Sequence, residues 1–406
     1  MFRHLQLTER RERILVGLAD LGLAVLRSPS RLRSRVRPAH PGRILLLRLE
    51  RMGDLVMTRA AISLVRTLAP SARIDLAVGS WNASLARMLP DVDTIEELDL
   101  GWLARDISSR ARRGMTTAVQ AWRARRYDLG INFEGDIRSH VLLYAAGPAW
   151  TAGFGMAGGG PLLDEQVHFD PVSHTADNAI RLVEQAFGRP GAGAGITPPQ
   201  LVIPDAARAF AAHRLADIAV PHVGERRPLV GIHASGGRLV KQWSPARFAV
   251  VATELSRMFD AAMVLTGSLE DRPMVEAFRA ALSHDVPVID LSGALDVPQL
   301  AAVLERLTLF VSGDTGPMHL ASAVGAPVVG VFGPSDPRRW GPLGPRSIGV
   351  RVDLPCSPCN RIRRPPGRCT GRIPDCLEAV GTPDVVAAAV RILRLHNPSA
   401  SPHGDV

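Results

Sequence analysis

Lysine is nearly absent from this chain. Of 48 basic side chains in 406 residues, 47 are arginine and one, Lys241, is lysine. Arginine ends in a broad planar fork, lysine in a compact point charge on a thin stem. A site that sets one ammonium against a phosphate in a narrow space can require the second and exclude the first. A leftover surface lysine is the alternative. The neighbourhood HASGGRLVKQW, with glycine-rich backbone beside the cation, weighs against it. Cysteine is scarce as well. All four cysteines fall between 356 and 376, so no general disulfide framework spans the chain. The N-terminal apolar run Ile14 to Leu26 is interrupted by Asp20 and is too short to cross a bilayer. It also lacks a small-residue cleavage site, which argues against a signal peptide and for a reducing, cytoplasmic setting.

What is present is a folded composition, 46% hydrophobic and 21% charged, long enough for two domains. The net charge of +9 is unevenly placed. Residues 1–40 hold nine Arg against Glu9, Glu12 and Asp20, a surplus of +6 that leaves only +3 for the rest. The nearly balanced body removes the charge argument for a nucleic-acid partner. A basic, amphipathic segment 1–40 suits an anionic membrane surface, and equally a packing helix with an Arg-rich linker.

Strand and helix patterns alternate in two stretches, which predicts parallel sheets covered by helices. The first stretch opens with RILLLRL (43–49), an apolar run suited to a buried strand, followed by a helix over 55–68 and strands at 74–78 and 129–133. Gly188–Pro199 is the clearest linker. The second opens with LVGIH (229–233) and continues through strands at 262–266, 288–291, 309–312 and 328–332. The expected organisation is a basic extension 1–40, a first Rossmann-like domain 41–188, a linker 189–205, a second Rossmann-like domain 206–345, a Cys-rich segment 346–381, a final amphipathic helix 382–396 and a disordered tail 397–406. Two such domains would face a cleft, with ligands beyond the carboxyl ends of the strands.

The informative loops lie at those ends. In GDTGPMHL a strand ends at Asp314, and Thr315-Gly316 leads into a helix with Pro317 near its start. Such a start offers backbone N–H groups and a favourable dipole to an anion, with a hydroxyl from Thr315 and with His319 in the first turn. An ordinary capped helix is the plain alternative. Ser235, Gly236 and Lys241 form a second phosphate-friendly loop, and two such loops in one half suggest a diphosphate ligand. Glu270, after the strand AMVLT, is placed to hold ribose hydroxyls, or simply to favour a helix start. Asp54 in RMGDL is either an N-terminal cap or a general base. Cys356, Cys359, Cys369 and Cys376, spaced C-x2-C-x9-C-x6-C, fit a structural Zn(II) site, free thiols or a local disulfide.

The segments ILLLRLERMGDLVMTRAAISLVRTLAP, YDLGINFEG, GIHASGGRLVKQWSPARFA and LFVSGDTGPMHLASAVGAPVVGVFGPSDPRRW, in this order over roughly 43–345, resemble glycosyltransferase family 9, the ADP-heptose:lipopolysaccharide heptosyltransferases. The PCSPC segment is similar to one found in many of its members. The resemblance implies an α/β GT-B fold, with acceptor bound by the first half and nucleotide sugar by the second. It implies inverting transfer with no catalytic metal or other cofactor. Asp54 matches the family's general base and Lys241 its phosphate-binding lysine. Asp314, Thr315, Gly316 and His319 match its nucleotide-sugar motif. Ser235 and Gly236 fall where the family sets hydroxyls against the diphosphate, and a glycine at 236 leaves that contact to backbone. The expected partners are ADP-heptose, a lipid-linked glycan acceptor and, through residues 1–40, the inner face of the inner membrane. Rival readings are a family member using another nucleotide sugar or an O-antigen or capsule acceptor, a GT-B sugar-nucleotide epimerase, and a non-enzymatic basic binding module.

Overall fold

The computed structural model describes residues 2, 5–7, 9–31, 35–100, 109–218 and 227–396; the tail 397–406, expected to be disordered, lies outside them. The chain divides into two compact units, Met1–Pro199 and Gln200–Val406.

The first unit holds β1 (Arg43–Leu47), β2 (Arg73–Val78), β3 (Thr94–Glu97), β4 (Leu129–Asn132), β5 (Trp150–Phe154) and β6 (Glu165–Val167). They form one parallel sheet in the order β3-β2-β1-β4-β5-β6. Ile44 to Leu47 of β1 are fully buried, as a central strand covered on both faces requires. The chain runs outward from β1 through β2 to β3, then returns to place β4 on the other side of β1. That reversal opens a crevice beyond the carboxyl ends of β1 and β4, where ligands bind in open α/β sheets. Leu47 is in register with Asn132, so the loops that follow these strands start level with each other.

The second unit repeats this plan. Its strands are β7 (Leu229–His233), β8 (Ala262–Leu265), β9 (Val288–Asp290), β10 (Leu309–Gly313), β11 (Val328–Val331) and β12 (Ser347–Val350). The order is β12-β11-β10-β7-β8-β9, again all parallel. The reversal now falls between β7 and β10, which pair with Ser312 opposite His233. The sheet continues through Ser347–Val350, beyond the stretch read as strand from sequence. Helix Thr382–His396 contributes Val385, Ala389, Ile392 and Leu393 to the same core as Trp243, Phe248 and Phe278. Trp243 is fixed there by an edge-on contact with Phe248 and by Nε1 donating to the Val380 carbonyl at 3.2 Å.

Candidate functional site

In the second unit, the loops after β7 and β10 meet. Lys241 closes a single 3-10 turn, Leu239–Lys241, with its N–H donating to the Arg238 carbonyl at 2.8 Å. Its ammonium lies 2.8 Å from Asp314 Oδ2. Burial works against the Asp314 charge, but the Lys241 ammonium and His319 outweigh it and hold the carboxyl below its ordinary range. Thr315 stands in extended conformation at the N-terminal cap of helix Gly316–Ala323, its Oγ1 2.9 Å from Ser312 Oγ. Pro317, which has no N–H, sits in the first turn, where a donor would lack an intrahelical partner anyway. His319 is buried on that helix.

Glycine at 236 has a steric cause. A Cβ there would lie 2.8 Å from the Lys241 carbonyl oxygen and 2.9 Å from its carbon. The loop therefore folds onto the backbone of its own lysine, and any side chain at 236 would open it. Gly313 is also tight: its Cβ would meet the Lys241 carbonyl oxygen at 3.3 Å and that of Ser235 at 3.7 Å. These two glycines let the lysine loop and the β10 end close on each other.

Ser235 is buried and bonds to Asp271. Burial opposes the Asp271 charge, yet hydrogen bonds from Ser235 and Ser268, with the nearby His233, hold this carboxyl below its usual range. Ser268 donates to it from N at 2.7 Å and from Oγ at 2.8 Å. Glu270 stands exposed on the same turn, Leu269–Asp271. Of the acidic pair Glu270-Asp271 the sequence pointed to Glu270 as the ligand, whereas Asp271 is the one that ties the turn after β8 to the Ser235 loop.

In the first unit, Asp54 lies in the first turn of helix Met52–Leu68, and its Oδ2 accepts from Arg51 N at 3.2 Å. Its other oxygen is 3.2 Å from Arg48 Nη2. Arg48 is itself buried, and its Nη1 is 3.3 Å from Glu134 Oε2 and donates to the Phe133 carbonyl at 3.1 Å. Burial disfavours the guanidinium charge, but Glu134, Asp54 and Glu50 more than offset it. Glu134 Oε1 accepts from Leu49 N at 2.8 Å and Glu50 N at 3.1 Å. Burial, with Glu50 and Asp54 nearby, pushes Glu134 up to about 8 against the pull of Arg48. Trp81 Nε1 and Asn82 Nδ2 each donate to the Glu50 carbonyl at 2.8 Å. Asp54 is thus more than a helix cap: it is the half-exposed carboxylate of an Arg48-centred triad whose other members, Arg48 and Glu134, are buried. Arg48 and Glu134 were legible only as charges in otherwise apolar strand-end runs, RILLLRL and GINFEG.

The four cysteines, read from sequence as a structural Zn(II) site, free thiols or a local disulfide, come together. All of them line one cavity of about 20 Å³, with Val240 and Pro334 also in its wall. Yet all four are free, and among the described residues no group of three or more His, Cys, Asp or Glu is disposed to hold a metal ion. The structural Zn(II) site read from Cys356, Cys359, Cys369 and Cys376 is therefore not supported. Spacing brings the cysteines to one cavity without setting their sulfurs as a ligand shell. Cys376 is buried in the short helix Asp375–Glu378, and burial, with Cys359 and Cys356 nearby, pushes its thiol up to about 11. The segment packs instead beside the turn that carries Lys241, through Val240.

Two parallel six-stranded sheets, each with charged loops at its reversal point, make up a GT-B architecture. The chain belongs to glycosyltransferase family 9 (heptosyltransferase), whose model matches residues 115–368. That span includes Ser235, Lys241, Glu270 and Asp314–His319, and leaves Asp54 outside. The chain is 25% identical over 312 residues to lipooligosaccharide heptosyltransferase 2 of Haemophilus influenzae, covering 74% of this chain and 86% of that one. A family 9 glycosyl transferase structure from Veillonella parvula superposes with a TM-score of 0.74 at 22% identity, covering 87% of this chain and 97% of that one. The structure of E. coli ADP-heptose lps heptosyltransferase II gives 0.68 at 20% identity, covering 87% and 99%.

Proposed function

We propose that this glycosyltransferase moves a heptose from ADP-heptose to a sugar of a lipopolysaccharide core acceptor, with inversion at the anomeric carbon. The observation that carries the reading is the Lys241–Asp314 pair set against the start of helix Gly316–Ala323. One compact cation beside a helix N-terminus is an arrangement that supports a diphosphate site. The similarity to proteins whose names specify heptosyl transfer, one of them with ADP-heptose, supports the choice of donor.

In this reading the second unit holds the donor. Lys241, Ser235, the backbone at Gly236 and the N–H groups beyond Thr315 take the diphosphate, and Glu270 takes the ribose. The first unit supplies the base. Asp54, paired with the Arg48 guanidinium at 3.2 Å, accepts the proton of the acceptor hydroxyl. The hydroxyl oxygen forms its bond to the anomeric carbon as the bond to the diphosphate oxygen breaks, and the electron pair leaves with ADP. Lys241 and the helix start stabilise that developing charge, the kind of preorganised electrostatics that is usually the largest catalytic contribution. The chain's own residues supply every step, with no metal or other cofactor invoked.

A thermal-shift panel of ADP-heptose and other ADP- and UDP-sugars tests the donor, because a ligand of the folded state raises the midpoint. ADP-heptose should give the largest shift and, with deacylated lipopolysaccharide core, a product one heptose heavier. A larger shift and transfer with a different nucleotide sugar would overturn the assignment of the donor.

A further inference from the structure

The N-terminal helix Arg10–Arg31 is seated on the first unit by one face only. Asp20, which interrupts the apolar run in the sequence, turns inward: its Oδ1 accepts from Gly159 N at 2.6 Å and the residue is 8% exposed. Val16 closes on Gly158, where an added Cβ would meet its Cγ1 at 2.3 Å, and Gly17 lies directly under the ring of Phe2. The preceding segment is tied down as well, with Gln6 N donating to the Met156 carbonyl at 2.7 Å and Nε2 to the Phe169 carbonyl at 2.9 Å.

The other face is apolar and open. Leu15, Leu18, Leu21 and Val25 are 68%, 50%, 52% and 73% exposed. Their spacing of three and four residues sets them in one stripe on a helix. Arg10 and Arg11 are exposed at its amino end, and the helix Arg10–Arg31 holds five arginines against Glu12 and Asp20, the latter withdrawn inward, while Arg35 and Arg37 beyond it pair with Asp164 and Glu165. No described helix is long and apolar enough to cross a membrane.

We infer that this helix lies in the plane of an anionic lipid surface, with the Leu15–Leu18–Leu21–Val25 stripe inserted among the acyl chains and the arginines at the headgroups. An exposed apolar stripe on a basic helix is what such a surface selects. Charge complementarity chooses the occupant. A second copy of the helix would bring like charges together, and a nucleic acid would leave the stripe in water. The inference is independent of the sugar donor, because binding to lipid requires no turnover.

The test is sedimentation of the full chain with vesicles of phosphatidylcholine alone or mixed with phosphatidylglycerol. The chain should pellet with the mixed vesicles, less so as salt is raised, and remain in the supernatant with phosphatidylcholine. The double variant Leu18→Ser/Leu21→Ser should bind at least about tenfold more weakly, given the apolar area removed, with an unchanged melting midpoint. Arg10→Gln/Arg11→Gln should flatten the salt dependence and provides the same test if the leucine variant does not fold. Failure of the wild type to bind mixed vesicles at low salt would overturn the inference. Equal binding to neutral vesicles would do so too, as would a concentration-dependent dimer that the leucine variant abolishes while vesicle binding persists.

Discussion

Lys241 Nζ and Asp314 Oδ2, from loops more than seventy residues apart in sequence, stand 2.8 Å from each other at the reversal point of the second sheet. The pair fixes the one ammonium of the chain by its own carboxylate. A guanidinium in the same turn would present a wider, flatter donor set to that carboxylate and to a diphosphate. Lys241→Arg should therefore retain the fold and lose turnover by about a hundredfold or more, the scale of removing a preorganised charge donor. Steady-state kinetics with the identified donor measures this; wild-type turnover would remove Lys241 from the mechanism.

Lys241→Met should also change the pH dependence of stability. Asp314 is held below its ordinary range, so the pairing stabilises the fold at neutral pH and that contribution is lost as pH falls through the folded-state value. Without the lysine, burial is opposed only by His319 and the Ser335 hydrogen bond, and the Asp314 carboxyl rises. The variant should be destabilised by roughly 3–5 kcal/mol at neutral pH, the range for a buried charge deprived of its partner. The deficit should shrink towards acidic pH. Urea titrations at several pH values check both sign and size, and a deficit independent of pH would contradict the account.

Asp54→Asn should reduce transfer by at least about a hundredfold while leaving nucleotide-sugar affinity unchanged, since a general base contributes to proton transfer and not to donor binding. Transfer rates set beside calorimetric donor affinity separate the two. Undiminished transfer would leave Asp54 only as a helix cap.

Arg48→Met addresses the support behind that base. It leaves Glu134, nearly buried, and Asp54 without the cation between them. A loss of roughly 3–5 kcal/mol is expected at pH 8, the cost of breaking a buried pair from one side. Removing the cation takes away what pulls the Glu134 carboxyl down, so it rises further, the folded state binds more protons than the unfolded chain, and the loss should narrow as pH falls. Denaturant midpoints at pH 8 and below measure it; equal losses at both would show that the triad is not electrostatically coupled.

Gly236→Ala places a methyl group 2.8 Å from the Lys241 carbonyl oxygen, against backbone that cannot rotate away. The loop must open, at about 1–3 kcal/mol for the strain, and donor affinity should fall by roughly tenfold with little change in the melting of the first unit. Donor calorimetry on the variant tests this directly. Unaltered affinity would show that the loop conformation is not what binds.

Much of the fold was legible because its cause is local. Parallel strands buried on both faces appear as continuous apolar runs, and Leu229–His233 was bounded as the structure has it. Helix starts followed from Pro and capping residues, as at Thr315-Gly316-Pro317. The short strand Glu165–Val167 and the edge strand Ser347–Val350, with their mixed exposure, carry no such run and were not legible. Arg48 and Glu134 could be noticed as charges at the ends of apolar runs, but their union depends on β1 lying beside β4. The cysteine spacing suggested a metal; the sulfurs share one cavity, but no metal-holding group is found among the described residues.

The sequence by itself determined the alternating strands and helices, the family, the sole lysine and the glycine-rich and Asp-Thr-Gly loops, because each is a property of neighbouring residues. Only the tertiary structure decided which loops meet. In each unit the chain turns back across its first strand, and that crossing sets β1 against β4 and β7 against β10. The reversal is a matter of sheet order, which apolar periodicity does not encode. It brings Lys241 onto Asp314 and Glu134 onto Arg48, while the burial of Asp20 against Gly159 leaves the apolar stripe of the first helix outward.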